Sequence, residues 1–514
     1  PLLEDLPWKY ASTVLKTAEV VAAAKGIYPV LVTSFKCTPD AFAMEYFKKV
    51  MHAHRKPYLI LQLDEHDSSV GYETRIEAAV RAFRNHRGKG GTPRPEGFPS
   101  LLPARGLAGK TVFFPNWDTL SCRLLVANLV REGLDARLLE PSPACMLKGL
   151  RHNSGQCIPI NIMAQEYIDA IERNGLDPSR CVLWMLKSDI ACNIKLIPHH
   201  IKNVLNGYGG GMEKAGVYQG EVSMVDISVR AALNTYFAFM FGGLLRRVAC
   251  RIRPYELDKG AVDDAVARAM DMFERAFAGN GSKEETLREV IAIFEGIKTN
   301  PGRRTKVAII GDLYVRDNDL MNQDLVHFIE GHGGEVITTP YTTYAKMIAR
   351  PYLRKWIAEG KILFSLSSRA MLATLQQLEK RYYRYFQRIL AEPDHAFDEK
   401  ADRVLARYSL LPEHTGESMD TILKVHYIVK HHPDVALFVL ANPAFCCPGL
   451  VTEAMREQIE LHTGVPMVNV TYDGTLSPKN QSVIPYLKFP RARMDRDHAS
   501  GDVKRALPVE GPLF

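Results

Sequence analysis

The strongest constraint on this chain is a rhythm. Short apolar runs rich in β-branched and aromatic residues, "YPVLVTSF", "PYLILQLD", "TVFFPN", "CVLWML", "KVAIIGDL", "EVITTP", "VALFVLANP" and "MVNVTYD", recur between stretches with helical spacing. Strands of this kind, separated by amphipathic helices, predict βαβ units and parallel sheets covered on both faces. After Asp40 the pattern puts Ala43, Phe47 and Val50 on one helical face and Lys48 and Lys49 on another, as a helix packed on a sheet requires. The expected fold class is therefore α/β, with several doubly wound parallel-sheet lobes (Rossmann- or flavodoxin-like) and added helices.

At 514 residues the chain exceeds what one hydrophobic core serves. Two breaks divide the rhythm. "RNHRGKGGTPRPEGFPSLLPARG" (Arg84 to Gly106) has no period and reads as a linker or long loop, and "KTNPGRRTK" (Lys298 to Lys306) separates helical patterns from a new strand. The expected lobes are 1–105, carrying Cys37; 106–303, carrying Cys122, Cys157, Cys192 and a helical extension; and 304–514, carrying Cys446, Cys447 and an extended tail after Lys488. The stretch Ala231 to Leu245 is apolar but too short for a bilayer, contains Asn234 and Thr235, and reads as a buried helix. The first residue is Pro1, as in a processed or excised part of something longer.

Two segments echo each other. The one starting at Val30 and the one starting at Leu437 share strand, cysteine, helix, proline, strand and acidic residue in the same order. Cys37 to Pro57 and Cys446 to Pro466 both span 20 positions, and Cys37 to Asp64 and Cys446 to Asp473 both span 27. A duplicated βαβ unit is expected, with the two cysteines at equivalent strand ends.

The charge balance, 65 basic against 58 acidic residues with no long run of one sign, does not indicate nucleic-acid binding. Nine scattered cysteines with no secretory signal point to a reducing cytoplasm. Six of them, Cys37, Cys122, Cys157, Cys192, Cys446 and Cys447, fall just after a strand or at the start of a helix. Strand C-termini and helix N-termini share one edge of a parallel sheet, where ligands gather. A helix start also favours the thiolate that a metal needs and should lower the thiol pKa. With no CxxC framework to indicate zinc, thiolates from separated loops fit an iron–sulfur cluster. Cys145, Cys181 and Cys250 read as small buried hydrophobes.

Other motifs carry less. "ARGLAGKTVFF" has Ala104 where a phosphate loop needs glycine, and a strand-like run after Thr111 where it needs a helix. Asp64, Glu65, His66 and Asp67 could ligate a divalent metal or form a solvated loop. "GDLYVRDND" (Gly311 to Asp319) reads as a structural acidic loop, and Ser188 and Asp189 as helix caps beside Cys192.

The motifs "VTSFKCTPDAF", "LQLDEHDSSVGYETRIEA", "RHNSGQCIPINI", "IGDLYVRDNDLMNQDL" and "NPAFCCPGLVTEAM" resemble the family of 2-hydroxyacyl-CoA dehydratases and their activators, across about Pro29 to Lys488. The match is with the dehydratase-like portion of the large CoA-substrate-specific enzyme activases of anaerobes. The resemblance implies an oxygen-sensitive protein taking low-potential electrons from an ATP-hydrolysing iron–sulfur activase, separate or fused upstream, and passing them to a small-molecule substrate. Related dehydratase subunits hold one [4Fe-4S] cluster on three cysteines, and related double-cubane proteins hold an [8Fe-9S] cluster on six. Homo- or hetero-oligomers fit the resemblance; a membrane or nucleic-acid partner does not. Three functions are set against one another: an electron-transfer or reductase component, a cluster-bearing scaffold that docks an ATPase, and a dehydratase-type lyase component. A metal-assisted hydrolase on Asp64, Glu65 and His66 is a further alternative.

Overall fold

Among the described residues, ten strands form three parallel sheets. The computed structural model describes residues 6, 8–34, 38–63, 69–87, 100–152, 157–187, 192–221, 223–300, 302–391, 400–411 and 416–490. The strands are β1 (Val30–Ser34), β2 (Leu59–Leu63), β3 (Thr111–Phe114), β4 (Asp135–Leu138), β5 (Cys181–Lys187), β6 (Gly216–Glu221), β7 (Thr305–Gly311), β8 (Gly334–Ile337), β9 (Val435–Pro443) and β10 (Met467–Tyr472). All eight strands read from the sequence are present; β4 and β6 are additional. The α/β class with helix-flanked parallel sheets is as expected.

β1 and β2 pair alone, while the others form two four-stranded sheets ordered β4-β3-β5-β6 and β10-β9-β7-β8. Taken in chain order, both larger sheets run second, first, third, fourth. Each therefore reverses direction between its first and third strands, β3 and β5 in one lobe and β7 and β9 in the other. Chains leave such a pair toward opposite faces and open a crevice at the strand C-termini.

Period-two alternation builds a core on each face of each sheet. On the β3–β6 sheet, Val112, Phe114, Val182 and Trp184 pack toward the Val229–Ile252 helix, and Phe113, Leu183 and Met185 pack toward the Ile158–Arg173 helix. On the other sheet Val307, Ile309, Leu437 and Val439 face one cluster, and Ala308, Ile310, Phe438 and Leu440 face the second. The Val229–Ile252 helix contains the apolar stretch read as buried, and it is buried along most of its length. It crosses the Thr119–Arg131 helix closely at Gly242, where an added Cβ would lie 2.6 Å from the Ser121 backbone nitrogen. Among the described residues, no helix is long and apolar enough to cross a membrane.

The echo read from the sequence has a geometric counterpart. β1 pairs with β2 and β9 with β10 in the same parallel register, each residue opposite the one 29 positions later: Val30 with Leu59, and Phe438 with Met467. The connections differ. Thr38–Ala53 is one helix, whereas the second unit breaks at Met455 into Cys447–Ala454 and Arg456–Thr463. The phosphate-loop look-alike is a short 3-10 turn, Ala104–Leu107, followed by strand β3. Most of the linker reading and the tail from 491 onward lie outside the described residues.

Candidate functional site

Three thiols stand at three helix starts. Cys157 is the N-cap of the Ile158–Arg173 helix, Cys192 precedes the Asn193–Leu196 turn that leads into the Ile197–Tyr208 helix, and Cys446 caps Cys447–Ala454. Proline occupies the first turn after Cys157 and Cys446, where no N–H is needed, so the sequence itself fixes where these helices begin. Cys192 follows β5 and Cys446 follows β9, the third strand of each lobe, which puts both at the reversal points.

These three sulfurs act on one another electrostatically. Burial raises the Cys157 thiol far above the ordinary range, and Asp312, Cys192 and Glu417 push it further; Cys446 is raised by burial and then by Asp312, Glu417, Cys157 and Cys192. The expectation that a helix start lowers these pKa values is corrected for both residues. Loss of hydration and two nearby carboxyls outweigh the helix dipole. Thiolates here require a bound positive charge.

Two carboxylates complete the cluster. Ligand atoms of Asp312, Glu417 and Cys446 all lie within 4.8 Å of one another. Asp312 directly follows β7, and its Oδ1 accepts the N–H groups of Tyr314 (3.0 Å) and Val315 (2.8 Å), which fixes the loop. Gly311 permits this turn. Its φ is +114°, and an added Cβ would lie 2.3 Å from the carbonyl oxygen of Ala441 on β9. Phe445, just before Cys446, also adopts a left-handed φ of 66°, uncommon for an aromatic residue and a strained way to aim the next side chain.

Glu417 opens the Glu417–His431 helix and accepts a hydrogen bond from Leu313 N–H at 3.4 Å. One helical face then buries Asp420 and Lys424, each 1% exposed. Asp420 accepts hydrogen bonds from the hydroxyls of Tyr344 and Tyr352, and burial raises its pKa to about 7. Burial likewise pushes Glu417 up and Lys424 well down. Arg316, 2% exposed, pairs with Asp317 at 2.7 Å. The two reversal-point loops are tied by Asn318 Nδ2 donating to the Asn116 carbonyl at 2.8 Å. Arg246 bridges Asp118 (2.8 Å) and Asp319 (3.1 Å).

Of the six cysteines singled out from the sequence, Cys157, Cys192 and Cys446 are brought together, and Cys447 adjoins them as the first residue of its helix. Cys122 sits in the first turn of Thr119–Arg131, fully buried, where Asp118 and Arg246 are the charged groups that act on it most. Cys37 lies outside the described residues, as do Asp64, Glu65, His66, Asp67, Ser188 and Asp189. Cys145, Cys181 and Cys250 are buried as read. Asp312 and Glu417 were not selected as site residues. Asp312 stood in a segment read as structural, and nothing local marks Glu417.

No protein-family model matches this chain, and no curated protein matches it. What the site can do rests on its own chemistry: buried and half-buried thiol and carboxylate donors from both lobes, at strand ends and helix starts, with the buried Arg316 guanidinium nearby.

Proposed function

We propose that the chain is an iron–sulfur electron-transfer or reductase component in which Cys157, Cys192 and Cys446 hold a [4Fe-4S] cluster. The supporting observation is that three thiols from three helix starts, Cys446 buried and Cys157 and Cys192 half-buried, act on one another electrostatically. The donor set fits, since thiolates are the usual cluster ligands and burial with hydrogen bonding sets the potential. A bound cluster would supply low-potential one-electron reduction. The protein's part is to hold it: unpaired N–H groups at the helix starts favour thiolate sulfur, and the Arg316 guanidinium offsets negative charge nearby.

The family resemblance extends the proposal to a cytoplasmic system in which an ATP-hydrolysing iron–sulfur activase, separate or fused upstream, feeds electrons to this chain for a small-molecule substrate. A scaffold or a dehydratase-type lyase component would use the same site. A double-cubane cluster would draw on Cys37, Cys122 and Cys447 as well. We favour the single cluster because the Cys122 thiol is committed to the packing of its helix.

The Asp312, Glu417 and Cys446 triad favours a second reading, a single divalent cation such as zinc on mixed oxygen and sulfur ligands. Anaerobic purification with active cluster assembly, followed by iron, acid-labile sulfide and paramagnetic resonance measurements, separates these. About four irons and four sulfides per chain supports the proposal. About twice the iron with one sulfide more than iron, as in [8Fe-9S], indicates the double cubane, and one metal without sulfide the second reading. Colourless, metal-free protein sinks both.

A further inference from the structure

A second site lies in the β1–β2 lobe. Where the Thr38–Ala53 and Ser69–His86 helices end beside the entry to β2, a concavity of about 610 Å³ is lined by His52, Arg55, Lys56, Tyr58, Asn85 and His86. Four of these six carry or can carry positive charge. No acidic residue occurs from Tyr46 to Leu63 or from Ala78 to Pro95, so neither lining segment offsets it.

Cations at helix C-termini commonly serve the last carbonyls, and part of this set does so. His54 Nδ1 contacts the Val50 carbonyl oxygen at 2.9 Å, and Lys56 donates to the Ala24 carbonyl while its ammonium lies 5.1 Å from the centre of the Tyr28 ring. Lys56 is nevertheless 6% exposed, a cation held under the concavity rather than spread into water. The imidazoles are oriented by phenols, His52 with Tyr58 at 3.1 Å and His86 with Tyr28 at 3.2 Å. Arg55 differs. Its backbone is left-handed, φ 50°, and its side chain has no hydrogen-bond or ion-pair partner among the described residues. The Arg55 guanidinium, on an exposed residue lining the concavity, thus has its donors open to a ligand.

We propose that this concavity binds a phosphate-bearing small molecule. One guanidinium matches phosphate geometry with two parallel donors, and the imidazoles of His52 and His86 line the same concavity with further ring nitrogens. The site lies at the N-terminal end of β2, apart from the thiol cluster, and its test is independent of any metal.

Calorimetric titration of the full chain with inorganic pyrophosphate at low and at physiological salt tests it. Saturable one-to-one binding is expected, weakened roughly tenfold or more in Arg55→Gln, as loss of a charged hydrogen-bonding partner implies, and also weakened in His86→Gln. Both substitutions are at the surface, and far-ultraviolet circular dichroism should be unchanged. Absence of binding by the unmodified chain, or affinity in Arg55→Gln and His86→Gln equal to that of the unmodified chain, overturns the proposal.

Discussion

The β3–β6 lobe and the β7–β10 lobe have the same strand order, yet they bring different chemistry to matching places. In the first, the helix before the third strand begins at Cys157 and the turn after that strand begins at Cys192. In the second, the corresponding helix begins at Glu417 and the corresponding turn at Cys446. After the first strand of each lobe comes an aspartate, buried Asp118 in one and half-buried Asp312 in the other, each capping its own loop or helix. Topology thus fixes four positions that converge, and the residue type at each decides what they hold. A thiol at one position has a carboxyl as its counterpart.

The largest test of that pairing removes one thiol at a time. Serine at Cys157, Cys192 or Cys446 is expected to abolish most iron binding whichever lobe is altered, measured by iron content after anaerobic purification. Cys250→Ser should retain iron. Retention in both single mutants of the first lobe, with loss in Cys446→Ser alone, would break the idea that the lobes share one site.

A second test leaves every ligand in place. Gly311→Ala puts a side chain against Ala441 in a left-handed conformation, so it should cost about 1–3 kcal/mol in urea unfolding and loosen the carboxylate that follows. Unchanged stability would mean that the close approach of β7 to β9 is not needed.

The comparison is sharpened by making the lobes more alike. Glu417→Cys supplies a thiol where the other lobe has Cys157, and iron loss to a chelator is expected to slow severalfold relative to Glu417→Gln. Equal rates in the two variants would show that the positions only look equivalent.

The smallest expected effect concerns how the lobes are joined. His327, on the Leu325–Gly331 helix, lies 2.6 Å from Asp324 and 3.3 Å from Asp263 of the Ala261–Phe277 helix, which packs on the first lobe. The hydrogen bond with Asp324 is the main cause that raises its pKa to about 9. Because the folded value exceeds the unfolded one near 6.5, this contribution is complete below pH 6.5 and lost as pH rises through about 9. The melting temperature should fall more between pH 6 and 9.5 in the unmodified chain than in His327→Gln; equal falls would remove His327 from the junction.

The central strands were legible because both their faces are buried, which leaves continuous apolar runs such as "VALFVLANP". β4 and β6 are edge strands and were not read. β6 carries Gly216 and Gly220, whose missing side chains leave room for Leu102 and Trp184, so the run looks like a turn. The helix-start placement of Cys157 and Cys446 was legible because proline follows each within the first turn, and that of Cys192 because it follows the apolar run of β5. Glu417 was not, since an acidic residue opening a helix is ordinarily a solvated cap, and only the return of the chain to β9 buries it. The direction of the thiol pKa was misjudged for the same reason: dipoles are local, desolvation is not.

The solitary β1–β2 pair also has a consequence in time. Its helix, with Phe42, Tyr46, Phe47 and Met51, is covered in part by Ala11, Leu15, Ala18 and Ala22 of the preceding Lys9–Ala23 helix and otherwise by residues from Ile160 to Leu205. Those residues leave the ribosome more than about 100 positions later, so at roughly 5–20 residues per second the apolar face waits about 5–20 s for its cover. A chaperone that binds nascent chains would find the first two helices packed on each other but still open on the side that those later residues close.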